Sequence, residues 1–212
     1  MEQVVPSYAE RLNADPEWAW REGSLHFEDK SAVQLTLRKI TTRLTELGIP
    51  HVVAGAMAMY RHGYRRFTED VDLLVTRDGL KAVHEALEGL GYLRVFKGSK
   101  KMRDTQTGVQ IDFLIAGDFP GDGKPKPVAF PDPADVAVSI DGVNILSLPR
   151  LIELKLACGM TNTNRLKDLA DVQEMIKALN LSESLADELD PYVRPKYLEL
   201  WQGVKDAPEF ES

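Results

Sequence analysis

Three acidic residues carry the strongest chemical signal in the chain. Asp70 and Asp72 stand two apart in TEDVDLLV. A strand of period two turns both carboxylates to one side while Val71 and Leu73 turn to the other. Like charges held side by side repel, and that cost is tolerable when a cation sits between them. Mg²⁺ takes oxygen ligands, usually one or two carboxylates together with substrate phosphates, and this pair supplies them. A third acid, Asp112, lies in VQIDFLI between Ile111 and Phe113, in a segment that otherwise reads as buried strand. An ionised carboxylate there needs a cation or strong donors. If the two strands are neighbours, three carboxylates converge. They could then hold two Mg²⁺ ions, or Mn²⁺, about 4 Å apart to clamp an attacking hydroxyl and a departing pyrophosphate.

Other residues add to this constellation. Gly55 falls between a strand pattern and a helix pattern, where a residue without Cβ lets backbone amides approach phosphate oxygens. Lys155 is three residues from Ile152 and Cys158 and four from Leu151, so it leaves the apolar face of its helix. Two destinations fit: a triphosphate, or solvent reached by a snorkelling stem. Arg66 and Thr68, just before the acid pair, fit either a phosphate contact or a solvated loop. Arg165 with Asp168, and Lys167 with Asp171, have the spacing of ordinary helix-surface ion pairs.

Competing motifs fail. An EF-hand begun at Asp70 would need Gly where Val75 stands and Glu where Lys81 stands. GDFPGDGKP near Gly117 has its first glycine out of register for a P-loop, and Pro125 replaces the Mg²⁺-binding hydroxyl. The four histidines show no ligand spacing.

The elements that must position these groups follow from periodicity. Apolar residues recur at helical spacing from Lys30 to Leu47 and are stopped by Gly48 and Pro50. A short strand at His51 to Ala54 leads through Gly55 into a small-residue helix. Strands are expected at Val71 to Thr76, Tyr92 to Phe96, Lys101 to Thr105 and Val109 to Ile115, with a helix from Gly79 to Leu90. A Gly/Pro/Asp-rich loop spans Gly117 to Asp135, and strand signals resume in Val136 to Leu146. Ser147 and Pro149 open a helix to about Cys158, and further helices fit Asn164 to Leu179, Ser182 to Leu189 and Pro191 to Val204. The expected organisation is an irregular N-terminal arm (1–29), an α/β (α+β) domain with a mixed sheet (30–146), and a C-terminal helical region (147–212).

The 212 residues, 43% hydrophobic and 28% charged, are those of an ordinary globular protein. One cysteine, Cys158, excludes an internal disulfide. MEQVVPSYAERL has no basic region followed by an apolar run, and no stretch reads as a membrane span, so a cytoplasmic protein with no membrane partner is expected. The net charge of −7 disfavours tight sequence-independent binding to a polyanion. Lys97, Lys100, Lys101 and Arg103 nonetheless cluster, as do Arg61, Arg65 and Arg66. The first group suits either a solvated strand edge or a docking track.

The run Ala54-Gly55-Ala56, thirteen residues, then Asp70-Val71-Asp72-Leu73 resembles the signature of the DNA polymerase β-like nucleotidyltransferase superfamily. Within it the chain is most similar to the bacterial abortive-infection (AbiEii-like) toxin nucleotidyltransferases. LIELKLACGMTNTNRLKDLADVQEMI resembles their segment in which a helix lysine is followed by a Lys/Arg-Asp pair and a second Asp. The resemblance implies a nucleotidyltransferase fold, with the C-terminal helices closing one side of a cleft. It assigns Asp70, Asp72 and Asp112 to metal and catalysis, and Gly55, Ala56, Lys155 and Asp168 to the nucleotide; Arg66 and Thr68 join the expected nucleotide set by their place just before the acid pair. Ala56 departs from the usual Gly or Ser and offers only its backbone amide. The implied reaction moves an NMP from an NTP to an acceptor hydroxyl on RNA, tRNA or protein, with an antitoxin as partner. Two other readings stay open: modification of a small molecule such as an antibiotic, and a catalytically silent nucleotide-binding protein.

Overall fold

The computed structural model describes residues 6–207; the outer ends of the expected arm and of the helical region (1–5 and 208–212) lie outside the described residues. A seven-stranded mixed sheet runs in the order β3-β4-β5-β2-β1-β7-β6. Its strands are β1 (His51–Val53), β2 (Asp70–Val75), β3 (Tyr92–Arg94), β4 (Lys101–Asp104), β5 (Gln110–Ile115), β6 (Ala137–Ile140) and β7 (Val143–Leu146). At its centre β2 pairs β5 in parallel and β1 antiparallel. The architecture is mixed α/β, as expected.

The sheet's apolar face packs on α3 (Ala32–Glu46), capped by Ser31 and burying Val33, Leu37, Ile40 and Leu44 completely. Val71 and Leu73 of β2 are also fully buried, while Asp70 and Asp72 keep partial exposure, the alternation that period two requires. α4 (Gly55–Arg61) follows β1, and α5 (Arg77–Leu87) follows β2 with Thr76 as its cap.

Residues 6–28 are not irregular. They form α1 (Tyr8–Ala14) and α2 (Pro16–Phe27). Ser7 and Glu10 make a reciprocal capping box, and Asp15 caps α2 with Pro16 in its first turn. Seven and twelve residues hold too few turns for a sustained period, so tertiary contacts stabilise both helices. Tyr8 and Trp18 join the core that also takes in α3 and the C-terminal helices. The Tyr8 hydroxyl donates to Glu22 at 3.1 Å, and Glu22 accepts the Ala32 amide at 2.9 Å.

The segment expected as strand from Val136 to Leu146 is a hairpin, preceded by α6 (Pro133–Val136). It turns at Asp141 and Gly142, with φ of 52° and 75°, the pattern of an Asp-Gly hairpin turn.

In the C-terminal half, α7 (Leu148–Thr161) packs on α8 (Leu166–Ala178). The approach is close because a Cβ at Gly159 would fall 2.5 Å from Leu169 Cγ. The segment Glu183–Glu188 is 3₁₀ rather than α, and α9 (Arg194–Asp206) completes the described chain. Among the described residues no helix is long and apolar enough to cross a membrane.

Candidate active site

Strand pairing brings the three acids together. Asp72 stands directly opposite Asp112 in the parallel β2–β5 register, and Asp70 lies one pleat away opposite Gln110. One carboxylate oxygen from each of Asp70, Asp72 and Asp112 lies within 4.8 Å of the others. Thr68 Oγ1 donates to Asp70 at 2.6 Å; Asp112 accepts from Gln110 Nε2 at 2.7 Å and from Lys101 Nζ at 2.8 Å. Burial, then the charges of Asp70 and Asp112, push the Asp72 carboxyl up to about 7. A cluster in which one carboxyl retains its proton near neutrality is short of positive charge. Oxygen-only donors at this separation fit a hard divalent cation.

Gly55 belongs to the same contact. Its φ is +58°, and a Cβ there would lie 1.8 Å from Asp72 Oδ2. Glycine is required because the Asp72 carboxylate occupies the space of any side chain, and because the left-handed conformation disfavours one. Ala56 is buried beside it.

All nine expected site residues line one cleft of about 500 Å³, a volume typical of small-ligand sites. Six of them have side-chain partners in the protein: Asp70 and Asp112 as given above, and Thr68, Arg66, Lys155 and Asp168. Thr68 is engaged by Asp70, as described. Lys155 neither snorkels nor points freely at a ligand: its ammonium donates to Asp168 at 2.8 Å and Asp171 at 2.7 Å, all three buried. Arg66 makes a forked contact with Asp171, Nε at 2.8 Å and Nη2 at 3.0 Å. Arg165 does pair with Asp168, at 2.6 Å, but around a buried carboxylate rather than on an exposed helix face. The expected Lys167–Asp171 pair gives way to these contacts. Burial raises the Asp171 carboxyl, but Lys155 and Arg66 outweigh it and hold the group below its ordinary value.

Several members of the basic clusters are likewise divided among partners. Lys100 pairs with Asp118 and Lys101 with Asp112; Arg61 is near Asp29 and Asp141, and Arg65 lies over the Tyr60 ring.

A family described as "Uncharacterised nucleotidyltransferase" matches residues 7–191, most of the chain. The chain belongs to this nucleotidyltransferase family. No curated protein matches it. Among solved structures, JHP933 from Helicobacter pylori is 19% identical, with a TM-score of 0.46 over 82% of this chain and 89% of that one. ANT(2'')-Ia in complex with adenylyl-2''-tobramycin is 14% identical, with a TM-score of 0.46 over 81% and 95%.

The nucleotidyltransferase cleft also contains residues that sequence reasoning left out. Asn164, Arg165 and Lys167, around the start of α8, line the wall that also carries Lys155. One signal was available: Asp168 and Asp171 are three apart and share a helix face, so both could be read as turning to one buried cation. That pairing leaves Lys167 to be weighed as a cleft cation, while Arg165 faces the cleft from its pair with Asp168.

Gly55→Ala tests the close approach. The added methyl must displace Asp72 and hold a left-handed backbone, so a loss of about 1–3 kcal/mol in urea unfolding is expected, together with a large fall in nucleotidyl transfer. Wild-type activity in the alanine variant would show that Asp72 works from another position.

Proposed function

We propose that this nucleotidyltransferase moves a nucleoside monophosphate from an NTP to an acceptor hydroxyl, releasing pyrophosphate, with Asp70, Asp72 and Asp112 holding Mg²⁺ or Mn²⁺. The observation that carries the reading is the convergence of three carboxylates on adjacent strands at the floor of one cleft. Bound metal would supply Lewis-acid polarisation of the α-phosphate and charge neutralisation of the leaving group. Asp112, on the strand beside the acid pair, orients the acceptor hydroxyl and receives its proton. Gly55 and Ala56 offer backbone amides to the triphosphate. Arg165 and Lys167 add positive charge on the opposite wall, while Lys155, Asp168, Asp171 and Arg66 hold that wall in place. Catalysis on this arrangement rests on positioning and charge rather than on a covalent enzyme intermediate.

The likeness to abortive-infection toxins extends the proposal to a macromolecular acceptor, RNA or protein, an antitoxin partner and a cytoplasmic setting where NTPs and Mg²⁺ are plentiful. The test is incubation with Mg²⁺, cell extract and each NTP labelled in turn at the α- or γ-phosphate. Label from an α-labelled NTP should enter a macromolecule, and γ-label should leave as pyrophosphate. Loss of the product to RNase or to protease then identifies the acceptor, and label in a small molecule supports the antibiotic-type reading. Mg²⁺-dependent nucleotide binding with no transfer from any NTP would make the protein a silent binder and overturn the proposal.

A further inference from the structure

The sequence leaves Lys101 on either a solvated strand edge or a docking track, yet it sits in the same row as the acids. In the antiparallel β4–β5 register Lys101 is directly opposite Asp112, which in turn is directly opposite Asp72. Directly paired residues project to the same face of a sheet, with Cβ atoms about 5 Å apart. The ammonium therefore reaches the third acid by backbone register, not by a chance surface rotamer. Its backbone is pinned as well: the Lys101 amide donates to the buried Ser99 hydroxyl at 2.9 Å, and its carbonyl accepts from Val95 at 3.1 Å.

The three carboxylates are thus prepared differently. Both oxygens of Asp112 have donors, Lys101 on one and Gln110 on the other. Among the described residues, Asp70 has a single hydroxyl donor, and no side-chain hydrogen bond relieves Asp72. One divalent ion and one ammonium match three carboxylates charge for charge.

Resting on the nucleotidyl-transfer reading, we propose that Lys101 takes the place of a second metal ion. The cleft binds one divalent cation, on Asp70 and Asp72 with the triphosphate, and the Lys101 ammonium serves as the fixed positive charge at Asp112, on the acceptor side. Lys101 is then a positioning residue for the third acid. This narrows the metal-holding set to Asp70 and Asp72, in place of the three-acid, two-ion site that the convergence alone suggests.

The experiment counts Mn²⁺ bound to the full chain by electron paramagnetic resonance, alone and with each α,β-methylene NTP, whose bridging carbon blocks transfer. Wild type should bind one uncoupled Mn²⁺ per chain. Lys101→Met should admit a second ion, giving two per chain with a spin-coupled spectrum, and Lys101→Arg should restore the count to one. A purely structural lysine would not move this count, and its half-exposed side chain leaves the variants free to fold. Two coupled ions in wild type, or a single ion retained in Lys101→Met, would overturn the proposal. Absence of Mn²⁺ binding in every variant would instead remove the metal site itself, and the transfer reading with it.

Discussion

Asp72→Asn is expected to abolish nucleotidyl transfer and yet to stabilise the metal-free protein at and above neutral pH. Asp72 packs against Gly55 and stands opposite Asp112, so on the proposed metal site losing its charge removes a ligand. A fall of about a thousandfold or more follows, since metal-ion catalysis supplies several kcal/mol. The stability effect has the opposite sign. The folded carboxyl is raised from an ordinary 3.8 to about 7. Folding therefore takes up a proton between these values, and wild-type stability declines as pH rises through that window. Below about pH 4 wild type and Asp72→Asn should have similar stability. Above about pH 7 the variant should gain about 1–3 kcal/mol, each pKa unit being worth about 1.4 kcal/mol before relaxation. Melting curves at pH 4, 6 and 8, with and without Mg²⁺, check this. Mg²⁺ should raise the midpoint of wild type but not of the variant. Wild-type transfer by Asp72→Asn, or a stability difference that ignores pH, would remove Asp72 from the metal site.

Lys155→Met should cost stability first and nucleotide affinity second. Lys155 is 6% exposed, and Asp168 and Asp171, between which its ammonium lies, are each 4% exposed. Removing the shared cation from buried carboxylates typically costs about 3–5 kcal/mol. Arg66 and Arg165 still pair with the two acids, so a loss of about 3 kcal/mol, the lower end of that range, is expected. Urea unfolding gives the number, and calorimetry on the folded fraction gives NTP affinity. A stability loss under about 1 kcal/mol with a tenfold or greater loss of affinity would make Lys155 a direct phosphate contact instead.

Much of the site was legible in the sequence. The shared face of Asp70 and Asp72 follows from strand period alone, and the buried Val71 and Leu73 between and after them bear it out. The glycine turn, the strand containing Asp112 and the order of helices and strands were readable as local patterns. The two N-terminal helices were not read, although Ser7-x-x-Glu10 and Asp15-Pro16 are start signals, because each helix is too short for its period to stand out. The β6–β7 hairpin was likewise signalled by Asp141-Gly142.

What surrounds Lys155 was beyond that kind of reading. Helical spacing shows that the lysine leaves an apolar face, but its partners come from the next helix, and Asp171 draws a further partner, Arg66, from 105 residues away. Lys101 is a similar case, since only the β4–β5 register sets it against Asp112.

By itself, then, the sequence determined the local geometry: which carboxylates share a face, where glycine permits a turn, which segments are helix or strand. These depend on dihedral preferences and periodicities that act over a few residues. Tertiary structure alone decided which charges neutralise one another. Ion pairing is set by through-space distance and burial, and the packing of α7 on α8 and of β4, β5 and β2 side by side creates those distances.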